Sequence, residues 1–198
     1  LHPNQDQARR AETAVKGQHP YATVISCSDS RVPVELLFDA GIGDLFVIRV
    51  AGNVADVDEI GSIEYGVDHL ETPVLVVLGH TSCGAVTAVT QGAEVHGSIP
   101  KLVDNIAPAV ERAKQKSSPG ATEQELIAEA IRENVWQSIH DLFQNSPAAV
   151  KRVQSSRVMV VGAVYDIVSG EITWLGPHPD QAKIISGTGK AVQAEGHH

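Results

Sequence analysis

Cysteine is nearly absent: Cys27 and Cys83 are the two among 198 residues. That is too few for a framework of several disulfides, and it leaves the pair as one disulfide, a pair of metal ligands or two separate core thiols. Positive charge is also scarce and dispersed, with 15 Lys and Arg against 24 Asp and Glu and a formal net charge of -9. Neutralising nucleic-acid phosphates takes clustered cations, so nucleic acid is excluded as a partner and a small one is expected. No apolar run approaches the roughly 20 residues of a membrane-spanning helix; the longest covers 73–79. A soluble, cytoplasmic protein is the expectation, with an exported or periplasmic one as the alternative if a leader was removed ahead of Leu1.

What remains is an ordinary globular composition, 42% hydrophobic, 20% charged and 4% aromatic, long enough for one sizeable core. A single domain over 1–198 without a linker is expected, with an extended tail after about residue 180.

Five strands are predicted at 22–26, 45–50, 73–79, 157–164 and 171–175, separated by helical patterns. Helices are predicted over 56–70, behind an Asp-x-x-Glu start, and over 102–113. A longer helix opens at Thr122-Glu123-Gln124-Glu125 and carries the stripe Ile127, Ile131, Val135, Ile139, Leu142 and Phe143. Ser146-Pro147 reads as an N-cap followed by proline at the first helical position. The first three strands are continuous apolar runs, as strands buried on both faces of a parallel sheet must be. Ser169-Gly170 between the last two suits a tight hairpin. The expected fold class is α/β: a central, mostly parallel sheet of about four strands plus an antiparallel fifth, flanked by helices.

Two segments stand out: Cys27-Ser28-Asp29-Ser30-Arg31 directly after the first strand, and His80-Thr81-Ser82-Cys83-Gly84 directly after the third. His-x-x-Cys at a strand-to-helix turn can present imidazole and thiolate to one ion. A second thiolate from a neighbouring strand end would complete a Cys2His set that leaves zinc an open position. In open α/β sheets such loops meet where the chain crosses from one side of the first strand to the other. Cys83 would lie at a helix start, whose field favours thiolate. Taken singly, each cysteine is as well explained as a small buried hydrophobe. Two ligand-rich polar loops at two strand ends are a costly way to fill a core, and a disulfide leaves His80 and Asp29 unexplained.

These motifs resemble the β-class carbonic anhydrases. Cys27-Ser-Asp-Ser-Arg31-Val, Arg49-Val-Ala-Gly-Asn53, Ile63-Glu-Tyr-Gly-Val67 and Gly79-His-Thr-Ser-Cys-Gly84 follow the family's order and approximate spacing, and the likeness runs from Lys16 to Trp174. The resemblance implies a zinc enzyme, one Zn2+ per chain, that hydrates carbon dioxide reversibly to bicarbonate and a proton by means of zinc-bound hydroxide. It implies Cys27, His80 and Cys83 as ligands, with Asp29 either a fourth ligand or the partner of Arg31, and Asp29 and Arg31 as the catalytic pair. It further implies Gln18, Phe46, Ala51, Tyr65 and Gly84 as substrate-binding positions, and a homodimer or dimer-based tetramer with Gln18, Phe46 and Tyr65 acting across chains.

Two departures matter. The family commonly has Arg-Asn-x-Ala-Asn where this chain has Arg49-Val50-Ala51-Gly52-Asn53. One branch carries a tryptophan three residues before the first cysteine and stores inhibitory bicarbonate nearby; Val24 stands there, so with Gln18 the chain resembles the other branch. Two thiolates donate more charge to zinc than imidazoles do, so the expected rate rises above neutral pH. The alternatives are a carbon disulfide or carbonyl sulfide hydrolase on the same scaffold, a non-catalytic zinc-stabilised binding protein, and a thiol redox protein using the two cysteines.

Overall fold

Every one of the six residues of β1 (Ala22–Cys27) is buried, polar Thr23 and Ser26 included, so the strand needs a neighbour on both edges and cover on both faces. In the computed structural model, which describes residues 4–194 and side chains as far as residue 187, the strand receives both. Parallel β2 (Leu45–Val50) and β3 (Val74–His80) flank it, then β4 (Met159–Tyr165) pairs parallel with β3, and β5 (Ile172–Gly176) closes the sheet antiparallel to β4. The strand order is β2-β1-β3-β4-β5, which meets the condition under which the loops after β1 and β3 converge. The chain crosses from one side of β1 to the other, and the carboxyl ends of β1 and β3 lie side by side.

Helices cover both faces. α1 (Gln7–Lys16) and α2 (Val34–Leu37) precede β2, and α3 (Val57–Glu64) follows it. α4 (Gly84–Gln91) leaves β3, then α5 (Ile99–Asp104), α6 (Ala107–Lys116), α7 (Glu123–Asn145) and α8 (Pro147–Gln154) lead to β4, and α9 (Gln181–Ala194) follows β5. One face packs Ile25, Leu75, Val77 and Val160 against Ile63, Val135, Ile139 and Phe143. The other packs Val24, Val76, Leu78 and Val161 with Val32, Val34 and Ala40. A third cluster, Val54, Val86, Ile106, Val110 and Ile131, lies around the two cysteines.

α7 starts on the capping box read from the sequence, Thr122 and Glu125 each bonding the other's backbone N–H. It lies close on the sheet because β3 and β4 present glycines to it. A Cβ at Gly162 would meet Val135 Cγ1 at 2.7 Å, and one at Gly79 would meet Val135 Cγ2 at 2.8 Å.

Three expectations need correction. The helix predicted over 102–113 is two, α5 and α6, because Pro108 lacks an N–H and its ring cannot follow a continuous turn. The helix predicted over 56–70 ends as α-helix at Glu64 and continues as a wide π turn, Tyr65–His69. There Thr72 takes the Gly66 carbonyl through both its N–H and its hydroxyl, and Gly66 lies so near β1 that a Cβ would meet Thr23 Oγ1 at 2.3 Å. The tail expected to be extended is helical over Gln181–Ala194, anchored by buried Ile184 and Ile185.

Candidate metal centre

Cys27 is the last residue of β1 and His80 the last of β3, and both strands stop where their carboxyl ends meet. Two residues on, Ser82 takes a left-handed conformation (φ 56°), which turns the chain so that Cys83 becomes the N-cap of α4. The loop is tied to the sheet on its far side, with Thr81 N–H donating to the Tyr165 carbonyl and Ile167 N–H to the Thr81 hydroxyl. Cys27, His80 and Cys83 are thereby gathered, all buried, with their ligand atoms within 4.8 Å of one another. Among the described residues no other such group of His, Cys, Asp or Glu occurs.

The histidine is arranged as a ligand. Its Nδ1 lies 2.9 Å from the Thr81 carbonyl, an acceptor, so Nδ1 carries the proton and Nε2 keeps its lone pair. Nε2 is fully buried, with no well-formed hydrogen bond among the described residues and the Cys27 sulfur beside it, a costly condition unless a cation completes it. The two cysteines are both free. Hydrogen bonding between their sulfurs holds the Cys27 thiol well below its usual range and pushes that of Cys83 up. Two close sulfurs and one imidazole nitrogen, in a dry pocket, suit a soft divalent cation whose binding displaces the remaining thiol proton.

Asp29 stands beside this group and is claimed by Arg31. The Arg31 guanidinium donates from Nε to Oδ1 at 2.9 Å and from Nη2 to Oδ2 at 2.7 Å, while the Arg31 backbone N–H also reaches Oδ1. This fork holds the Asp29 carboxyl far below the usual carboxylate range. Asp29 Oδ2 remains 3.9 Å from His80 Nε2, and Asp29 is outside the three-residue ligand group. Arg31 Nη2 is also 3.3 Å from the Ser82 carbonyl, linking the two loops.

Of the other positions read from the sequence, Ala51 lies in the turn after β2, and Gly84 is the first residue of α4 with open space where a Cβ would point. Gln18 is exposed between α1 and β1. Phe46 and Tyr65 stack on each other, ring centroids 5.7 Å apart. They sit elsewhere along the sheet: Phe46 pairs with Thr23, four residues before Cys27, or about 13 Å along the strand. Within one chain the structure does not bring Phe46, Tyr65 or Gln18 to the ligand group.

Three residues were given no role from the sequence, although Arg49 and Gly52 lie in a motif quoted there. Arg49, at the end of β2, donates from Nε to the Cys27 carbonyl at 3.1 Å and from Nη2 to the Asp29 carbonyl at 2.6 Å, so it holds the cysteine loop by its backbone. Gly52 donates its N–H to Cys27 Sγ at 3.3 Å, and Asn134 of α7 donates to the Gly52 carbonyl at 2.7 Å. The available signals were a polar pair, Asn134 and Ser138, four apart beside an apolar stripe, and an arginine ending an otherwise apolar strand.

With this geometry in view, the chain can be set beside known proteins. A family model described as "Carbonic anhydrase" matches residues 22–172. Carbonic anhydrase 2 of Mycobacterium tuberculosis is 37% identical over 173 residues, covering 85% of this chain and 80% of that protein. The carbonic anhydrase of Mycolicibacterium smegmatis is 38% identical over 176 residues, covering 87% and 82%. Among solved structures, one of two tetrameric β-carbonic anhydrases from Sordaria macrospora superposes with a TM-score of 0.76 at 26% identity, covering 86% of this chain and 87% of that one.

Proposed function

Since the chain belongs to the β-class carbonic anhydrase family, we propose that Cys27, His80 and Cys83 hold one zinc ion and that Asp29 and Arg31 act beside it in the reversible hydration of carbon dioxide to bicarbonate. The observation that carries this reading is the buried Cys2His group itself, with the buried His80 Nε2 turned toward Asp29. Cys27, His80 and Cys83 would hold the zinc, which when bound would activate water as the nucleophile toward carbon dioxide.

The chain's own groups do the rest. Arg31 holds Asp29 by a two-pronged hydrogen bond, so the carboxylate stays back from the metal position while one oxygen faces the His80 side. There it accepts a hydrogen bond from the reacting water and orients the lone pair that attacks. Arg49 keeps the Cys27 and Asp29 carbonyls fixed, and the buried sulfurs keep bulk water off the metal's protein side. Should Arg31 release Asp29, that carboxylate would be free to turn toward the ligand group and close the site.

Gln18, together with Val24 in place of tryptophan, supports membership of the branch that lacks the inhibitory bicarbonate site. Substrate contacts fall to Gln18, Phe46, Ala51, Tyr65 and Gly84. The distance of Phe46 and Tyr65 from Cys27 along β1 supports their acting on a second chain's site, in a homodimer or dimer-based tetramer; the Sordaria proteins are described as tetrameric. The relatives reported above are carbonic anhydrases, which gives no support to the sulfur-substrate, binding-only or thiol-redox alternatives. No helix of the described residues is long and apolar enough to cross a membrane, and a cytoplasmic location is our reading of the composition.

Zinc content and stopped-flow hydration from pH 6.5 to 9, measured on one sample, test the assignment. One zinc per chain with a rate rising through this range is expected. Zinc retention without hydration at any pH would favour a binding protein, and zinc-free protein with a reversible disulfide a redox one.

A further inference from the structure

The turn Ala51–Asn53 after β2 is an improbable piece of backbone, with two consecutive left-handed residues, Gly52 (φ 75°) and Asn53 (φ 46°). The second is a conformation that few residues with a side chain other than asparagine adopt readily. The first admits only glycine on two counts, its φ and its packing, since a Cβ would meet Ile106 Cδ1 at 2.7 Å. This turn carries a backbone N–H that donates to Cys27 Sγ, from Gly52 at 3.3 Å, beside the Asp29 N–H that also faces that sulfur.

What keeps the turn in place comes from 82 and 85 residues away. Asn134 Nδ2 donates to the Gly52 carbonyl at 2.7 Å, and Ser138 Oγ donates to the Asn53 carbonyl at 2.8 Å. Both side chains are buried on α7, in a layer of Ile131, Val135 and Ile139. An asparagine there is not explained by helix propensity or by packing. Among the described residues its Oδ1 has no partner, and the side chain's one hydrogen bond is the bond to Gly52.

We infer that Asn134, seconded by Ser138, is a positioning residue for the metal centre: it clamps the Gly52 peptide so that its N–H points at the Cys27 sulfur. The inference rests on the reading of Cys27 as a zinc ligand. An N–H directed at a thiolate draws electron density from the sulfur and fixes its direction, so α7 controls how strongly and how precisely Cys27 donates to the cation. Outer groups that orient a ligand typically account for 10–100-fold in metal affinity.

The test uses the full chain reconstituted with cobalt(II), whose sulfur-to-metal charge-transfer band reports thiolate donation, together with zinc affinity by chelator competition. Asn134→Ala is expected to move the band to longer wavelength, because a thiolate without its N–H gives up charge more readily, and to weaken zinc binding roughly 10-fold. Val135→Ala opens a cavity in the same turn of α7 without touching Gly52, and should leave both unchanged while lowering stability. An unmoved band and unchanged affinity in Asn134→Ala would overturn the inference, as would an equal shift in Val135→Ala. If Asn134→Ala is not recovered folded, Ser138→Ala, which frees the Asn53 carbonyl and leaves a smaller hole, must move the band in the same direction; no movement there also overturns it. A wild-type chain with no charge-transfer band would instead contradict the ligand assignment of Cys27.

Discussion

Asp29 lies between a guanidinium that holds it and a ligand group that could take it. Its carboxyl is depressed mainly by the Arg31 hydrogen bonds, so what it contributes to the folded state is present above the unfolded value near 3.9 and is lost as pH falls through the lower folded one. It is therefore ionised throughout the neutral range, and the rise in rate expected above pH 7 cannot be its titration. Arg31→Ala returns Asp29 toward its ordinary value, which still leaves it ionised at pH 7. The expected result is retained zinc, an unchanged shape of the pH–rate curve above pH 6, and a kcat/KM roughly 100-fold lower because the carboxylate is no longer held in place. Full turnover in that variant would remove the gating role.

Arg49 acts on the same loop through two carbonyls. Arg49→Ala is expected to keep the fold by circular dichroism but to lose about 10-fold in zinc affinity; unchanged chelator competition would show that the loop holds itself. Cys27, His80, Asp29 and Arg31 could be read from spacing because each lies within a few residues of a strand end. Arg49 and Asn134 could not, since their partners are 20 to 22 and 82 residues distant and only the folded register reveals them.

At the scale of elements, the site depends on how closely α7 lies on β3 and β4, since Asn134 and Ser138 reach the turn after β2 only from there. Gly162→Ala places a methyl against Val135 and Trp136, within 2.7 Å and 2.9 Å of their side-chain atoms. A loss of about 1–3 kcal/mol by chemical denaturation is expected, and a neutral result would mean that α7 can retreat without cost. The same closeness explains what the sequence disclosed. Strands buried on both faces and a capped, striped helix follow from local patterns, so all five strands and the start of α7 were legible. The split at Pro108 and the π turn at Gly66 depend on local backbone chemistry and on a contact with Thr23 across the sheet, and periodicity alone passed over both. The helical tail is held by Ile184 and Ile185 packing into the main core, a tertiary effect that its Gly-rich sequence conceals.

For the whole molecule, Tyr65 is 46% exposed and stacked on Phe46, an aromatic pair set apart from its own chain's candidate metal site. If it serves a neighbour's, sedimentation should show at least a dimer and activity should fall on dilution below its dissociation; a fully active monomer would contradict this. An ion held by this group would in turn stabilise the strand order that assembles it. Removing zinc with a chelator should lower the melting temperature, because only the folded chain offers the three ligands together; an unchanged transition would mean that the metal is not held there. The most direct measurement is X-ray absorption at the zinc edge of the purified protein. Two sulfurs at about 2.3 Å and one nitrogen at about 2.0 Å are expected, with the sulfur count falling to one in Cys27→Ser. A spectrum without sulfur scattering, or one that Cys27→Ser leaves unchanged, would contradict the convergence of these two loops on a single ion.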